Sequence, residues 1–177
     1  MNLIGSLQQK MGELIAANAS MVVLVVDQQG AAAAAFQNAQ IAVLATARAA
    51  HVPVWFVLFN PTLGGAHPAP TPPMDPNLGA PDATYVKRTL AVFNPGTLPN
   101  LRVALEGAGI EWIVIMGRQS GQCVRLAAVG GPIDLAATQY ATGATSMGYK
   151  ILTCPQIQSV AHVAWANESK VWCYDQP

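Results

Sequence analysis

Residues 21–27 read MVVLVVD, a run of apolar and mostly β-branched side chains that is closed by an aspartate. Two similar runs follow, PVWFVLF at residues 53–59 and WIVIM at residues 112–116. Uninterrupted apolar runs are typical of strands that are buried on both faces, as in a parallel sheet. We therefore predict three central strands at these positions.

Helical patterns lie between and after these runs. Residues 31–51 are rich in alanine, and residues 100–109 carry an apolar face and end at a glycine. Further helices are predicted from about Gln122 onward and over residues 135–147 and 158–167, and short strands over residues 151–153 and 171–174. This alternation predicts an α/β fold, a three-layer α-β-α sandwich with a mostly parallel, Rossmann-like sheet.

The chain has 177 residues, the length of one domain of ordinary size. We assign residues 21–177 to that domain and residues 1–20 to an N-terminal helical extension. Leu7, Met11 and Leu14 fall on one apolar face of the extension. Because the domain is complete without the extension, we expect this face to lie in an interface and the protein to be a homo-oligomer.

Charge is scarce, with 9 Lys and Arg against 9 Asp and Glu and a net charge of zero. This favours a small-molecule substrate as partner over nucleic acid or a membrane surface. No apolar run reaches the ~18 residues typical of a membrane span. The cysteines number 3 and form no CxxC pair, which argues against a disulfide framework. We expect a reducing, cytoplasmic location.

Ligands of parallel sheets bind outside the carboxyl ends of the strands, so residues that follow the apolar runs are candidates. Asp27 follows the first run, either as a helix cap or as a catalytic carboxylate. Cys123 stands near a predicted helix start, where partial positive charge would lower its pKa and backbone N–H groups could bind an oxyanion. The alternative for Cys123 is a small core residue. Lys87 has the pattern of a surface lysine unless the fold brings it beside the other two.

Several other chemistries lack their motif. The chain has no GxGxxG or GxxxxGK[ST] loop, and the segment GRQSG is not the GxSxG nucleophile elbow. The histidines are isolated and form no HxH or HExxH pair, so we predict no metal and no other cofactor.

Four segments resemble the isochorismatase-like cysteine hydrolases. VLVVDQQ (residues 23–29) is similar to the first strand and D-x-Q signature of that family, and ARAAHVPVWFV (residues 47–57) to its second strand. VKRTLAVFNPGTLPNLRVALEGAGIEWIVIMG (residues 86–117) resembles the lysine segment and third strand, and RQSGQCV (residues 118–124) resembles the nucleophile segment. The resemblance covers roughly residues 21–152, with the segments in the family's order.

The resemblance implies a catalytic triad of Asp27, Lys87 and Cys123. Asp27 would be the general base, Lys87 would stabilise the charges, and Cys123 would attack an amide carbonyl to give a thioester. A cis peptide bond would precede Gln119. The residues that would contact the substrate or its oxyanion are Gln29, Arg118, Gln119, Ser120 and Gln122.

The sequence also departs from the family pattern. Residues 60–62 read Asn-Pro-Thr where the family's metal-dependent nicotinamidases carry Asp-x-His, and His67 stands alone nearby. Ser120 and Gly121 replace the usual Thr-Asp, and residues 130–139 resemble an insertion close to the site.

Three functions follow from this comparison. The first hypothesis is cleavage of a C–N bond in a small neutral amide. The alternative is a catalytically altered member that binds a ligand or partner as an oligomer. Vinyl-ether hydrolysis is disfavoured, because an anionic substrate would require more cations.

Overall fold

The computed structural model describes residues 3–30, 34–60, 74–93, 97–118, 120–133, 139–158 and 171–173. Its strands are β1 (Met21–Val26), β2 (Val54–Phe59), β3 (Ala83–Lys87), β4 (Thr97–Leu98), β5 (Trp112–Gly117), β6 (Gly130–Pro132), β7 (Tyr140–Thr142), β8 (Lys150–Thr153) and β9 (Val171–Cys173). Its α-helices are α1 (Leu3–Ala16), α2 (Ala34–Ala49), α3 (Leu101–Gly107) and α4 (Arg125–Ala128), and a π-helical turn covers Ser120–Val124.

Seven strands form one sheet in the order β4-β3-β2-β1-β5-β8-β9. Its pairs are parallel except for β4, which runs antiparallel to β3. The chain builds outward from β1 through β2 to β3, and then returns to the other side of β1 with β5. The carboxyl ends of β1 and β5 therefore flank the point where the strand order reverses, which is where sheets of this kind bind ligands.

The core consists of two apolar layers, one on each face of the sheet. Along β1, Val22, Leu24 and Val26 pack into the layer beneath α3 and α4. The alternate residues Val23 and Val25 pack into the layer beneath α1 and α2. This arrangement confirms the predicted three-layer sandwich with a mostly parallel sheet, and it explains why β1 is apolar at every position.

Helix α1 packs against α2 of its own chain. Leu7 and Met11 are fully buried, and Gln8 Nε2 donates hydrogen bonds to Ala42 O (3.1 Å) and Thr46 Oγ1 (2.7 Å). Leu7 and Met11 are thus covered within the chain and Leu14 is half-buried, contrary to the expectation that this apolar face would be free for an interface. None of the described helices is both long enough and apolar enough to cross a membrane.

The main departure from the predicted elements lies after α4. In place of a helix over residues 135–147, the described part of this stretch contains β7 and a 3₁₀ turn over Ala144–Met147. Strand β7 pairs with β6 as an antiparallel hairpin, and a Cβ at Gly143 would lie 2.2 Å from Gly130 N. The spacing of apolar residues along the sequence does not reveal this close approach of two backbone segments. Strand β3 was also not predicted, and the helix predicted over residues 158–167 lies outside the described residues.

Candidate active site

Asp27 and Lys87 form a buried ion pair at the carboxyl edge of the sheet. Asp27 follows β1 directly, and its Oδ2 lies 2.8 Å from Lys87 Nζ. Lys87 ends β3, two strands away, and its side chain reaches past Phe59 of β2, with Nζ 5.4 Å from the centre of that ring. The Lys87 side chain is fully buried and the Asp27 side chain is 8% exposed. Lys87 is therefore not the surface residue that its local sequence suggests.

The surroundings hold this pair in a defined geometry. Lys87 Nζ also donates a hydrogen bond to Leu90 O (3.3 Å). Asp27 has a φ of 54°, a left-handed conformation that aspartate tolerates better than most residues. Its backbone N–H donates to Val57 O, and the described part of α2 covers Ala34–Ala49. The carboxylate is engaged with lysine and does not cap the described helix. Its Oδ1 is buried and accepts no hydrogen bond from the described residues.

Gly117 allows the segment after β5 to approach β1. Gly117 pairs in register with Val26, and a Cβ at this position would lie 2.0 Å from Val26 O. A side chain here would force the strand ends apart. The glycine thus brings the following turn, which carries Cys123, to the residue after Val26, which is Asp27.

Cys123 lies in the π-helical turn and is 3% exposed. Burial raises the pKa of the Cys123 thiol to about 11; the charge of Lys87 lowers the pKa, whereas the charge of Asp27 and a hydrogen bond to its carboxylate raise it. The prediction of a lowered thiol pKa was therefore wrong. The adjacent ion pair carries little net charge, so desolvation of the thiolate dominates.

Cys123 and Asp27 open onto one cavity of about 400 Å³. The other residues that line it are Gln29, Phe59, Leu90, Arg118 and Gln122. Gln29, Arg118 and Gln122 thus lie where the sequence analysis expected substrate contacts. Ser120 lies in the same turn as Cys123, whereas Gln119 and the expected cis bond fall outside the described residues.

Phe59 and Leu90 also line this cavity, although neither was predicted from the sequence. Phe59 could have been found, because it ends the second apolar run at the same sheet edge. Leu90 gives no local signal, since it reaches the cavity only through the turn that follows β3.

The Gln29 side chain is fixed at the edge of the cavity by hydrogen bonds to the backbone of β2. Its Nε2 donates to Phe59 O (3.1 Å), and its Oε1 accepts from Phe59 N (2.9 Å). Its own carbonyl oxygen accepts a hydrogen bond from Arg118 Nη1 (2.9 Å). Gln29 therefore connects the segment after β1 to β2 and to the segment after β5.

In the part of the chain that the structure describes, no group of three or more His, Cys, Asp or Glu side chains could hold a metal ion. His67 lies outside that part. The functional groups that the described cavity presents are a thiol, a carboxylate, a guanidinium and two amides.

No protein-family model matches the chain, and no curated protein sequence matches it. Solved structures do match. An isochorismatase-like hydrolase from Alkaliphilus metalliredigens aligns with a TM-score of 0.62 at 16% identity, over 83% of each chain. N-carbamoylsarcosine amidase from Thermoplasma acidophilum aligns with a TM-score of 0.56 at 22% identity, over 82% of this chain and 88% of that one.

A pyrazinamidase/nicotinamidase from Streptococcus mutans aligns with a TM-score of 0.59 at 16% identity, over 81% of this chain and 89% of that one. Each of these three alignments covers more than 80% of this chain. The chain therefore has the isochorismatase-like fold, as the resemblance of its sequence implied.

Proposed function

We propose that this protein is a cysteine hydrolase that cleaves the C–N bond of a small amide through a thioester intermediate. The observation that carries the proposal is that Cys123 and Asp27 line one cavity, with Asp27 paired to the buried Lys87. A nucleophile, a base and a group that orients the base are the parts that covalent hydrolysis requires. The solved structures of similar fold include two proteins named as amidases.

The raised thiol pKa defines how the nucleophile would work. At neutral pH Cys123 carries its proton, so attack requires a base within reach rather than a preformed thiolate. Asp27 takes the thiol proton as Sγ bonds to the amide carbon, and Lys87 stabilises the charge of the site throughout.

The remaining steps return every group to its starting state. The tetrahedral intermediate collapses, the C–N bond breaks, and the amine leaves with the proton that Asp27 held. Water then attacks the thioester and gives a proton to Asp27. The acid product departs, and the thiol of Cys123 recovers that proton. The backbone N–H of Cys123, in the π-helical turn, is the proposed donor to the oxyanion.

One observation favours a second candidate, a catalytically altered protein that binds its ligand without turnover. A thiol that is 3% exposed with a pKa of about 11 is a poor nucleophile unless Asp27 deprotonates it during attack. The two candidates differ in whether ligand binding leads to loss of ammonia or an amine.

The test is release of ammonia or amine from a panel of small amides by wild-type protein and by Cys123→Ala. A matched control is Cys154→Ala, because Cys154 is also buried but does not line the cavity. We expect turnover in the wild type and the control and none in Cys123→Ala. Equal turnover in all three proteins would exclude the thiol mechanism.

A further inference from the structure

Arg118 gives the cavity a positive charge that nothing in the described chain balances. Its side chain is exposed and lines the cavity beside Cys123. Lys87 does not add to this charge, because it is fully buried against Asp27 at 2.8 Å, and the thiol is neutral at physiological pH. Among the described residues, Arg118 makes no ion pair.

A hydrogen bond to the backbone of Gln29 holds the guanidinium of Arg118 in place. Arg118 Nη1 donates to Gln29 O (2.9 Å), and Gln29 is in turn fixed by two hydrogen bonds to the Phe59 backbone. The Arg118 side chain makes no other hydrogen bond with the described residues. Since arginine has five N–H donors in a planar fork, four of them make no hydrogen bond with the described residues, and the side chain lines the cavity.

We infer that the substrate carries a carboxylate in addition to its scissile amide, and that Arg118 binds this carboxylate. The inference rests on the proposed function. An arginine fork matches a carboxylate in geometry and charge, and charge-assisted hydrogen bonds are roughly twice as strong as neutral ones. The substrate class is therefore a small amide of an acid, instead of the neutral amide expected from the low charge of the chain.

The first experiment compares two primary amides of matched length, succinamate, which bears a carboxylate, and succinamide, which is neutral. The variants are Arg118→Gln, which removes the charge, and Arg118→Lys, which retains it. Arg102→Gln is the control, because Arg102 is exposed on α3 and pairs with Glu106. We expect the ratio of kcat/KM for succinamate over succinamide to fall about tenfold in Arg118→Gln, to fall less in Arg118→Lys, and to stay unchanged in Arg102→Gln.

A second experiment detects the positive charge of Arg118 without requiring amide hydrolysis. Iodoacetate and iodoacetamide alkylate thiols by the same chemistry, but only iodoacetate is an anion. We expect the ratio of their rates at Cys123, followed by peptide mapping, to fall about tenfold in Arg118→Gln and to survive in Arg118→Lys. Arg102→Gln again serves as the control.

The two experiments separate the inference from the proposed function. The inference is overturned if Arg118→Gln leaves the ratio of the iodoacetate and iodoacetamide rates unchanged, regardless of the result with the amides. It is also overturned if both amides are hydrolysed and the preference for succinamate is the same in wild type and Arg118→Gln. If the alkylation ratio falls but no amide is hydrolysed, the anion site stands and the hydrolase proposal fails.

Discussion

At the scale of single residues, Cys123 shows how two effects on one pKa compete. A helix start and a nearby lysine both favour thiolate, and the sequence contains both. Burial of the thiol and the charge of Asp27 act in the opposite direction, and the pKa rises to about 11. At neutral pH the thiol of Cys123 is therefore protonated, and it needs a base to remove its proton during nucleophilic attack.

This raised pKa predicts the pH profile of Cys123 alkylation by iodoacetamide. Only the thiolate reacts, so below the pKa the rate should rise about tenfold per pH unit. An unperturbed thiol, with a pKa of 9.0, is half ionised at that pH and levels off about one pH unit higher, so the rise for Cys123 should continue beyond about pH 10. Peptide mapping measures it, with Cys123→Ala as the blank and circular dichroism as the check on folding. A plateau at or below about pH 10 would show that the pKa of the Cys123 thiol is not raised.

The ion pair predicts a second result at this scale. Lys87→Met leaves Asp27 buried without its partner, which should lower the free energy of unfolding by roughly 3–5 kcal/mol. The double variant Asp27→Asn/Lys87→Met removes the stranded charge and should recover part of that loss. Urea unfolding of the wild type, the two single variants Lys87→Met and Asp27→Asn, and the double variant gives the coupling energy. Additive losses would mean that the two residues do not interact in solution.

At the scale of elements, the β6–β7 hairpin supports the catalytic edge from the side. Ala141 of β7 packs with Leu126 of α4 and with Ala91, next to the Leu90 that accepts a hydrogen bond from Lys87. Arg125 joins the hairpin to the turn of Cys123, since its Nε donates to Gly121 O (3.2 Å) and its Nη1 to Gly130 O (3.0 Å). The hairpin is thus joined to the turn that carries Cys123 and also packs against Ala91, which follows Leu90.

We expect Arg125→Met to loosen this connection. The methionine keeps part of the apolar stem but loses the hydrogen bonds to the turn and the hairpin, so stability should fall by about 2 kcal/mol. Amide hydrogen exchange in β7 should rise more than exchange in β1. Arg102→Met, an exposed substitution on α3, is the control. Equal protection of β7 in Arg125→Met and wild type would mean that the hairpin is held by packing alone.

The elements also show what a sequence can and cannot reveal. Strands β1, β2 and β5 were predictable because each is buried on both faces and so is apolar throughout. Strand β3 alternates in burial, and its register with β2 is what carries Lys87 into the interior. Asp27 and Cys123 could be found from their places after apolar runs. The burial of Lys87 depends on contacts between distant strands, which local spacing does not encode.

At the scale of the whole molecule, α1 completes the outer layer instead of exposing an apolar stripe. The expectation of a homo-oligomer then rests on the low charge of the chain, 10% of its residues. We still expect self-association, because few like charges keep copies apart. Light scattering at micromolar concentration should return a mass above the 18.5 kDa of one chain. A mass of one chain would contradict this expectation.

At the same scale, hydrolysis by the proposed mechanism depends on Asp27 acting as the base for Cys123. The most direct measurement is the hydrolysis rate of Asp27→Asn beside wild type, at a temperature well below the melting point of both proteins. Asparagine keeps the size of the side chain and an oxygen that can accept from Lys87 Nζ. Asp82→Asn is the matched control, since Asp82 binds the backbone of β2 away from the cavity. We predict that the hydrolysis rate falls at least ~10²-fold in Asp27→Asn and stays at the wild-type value in Asp82→Asn. A rate equal to that of the wild type in folded Asp27→Asn would contradict the account.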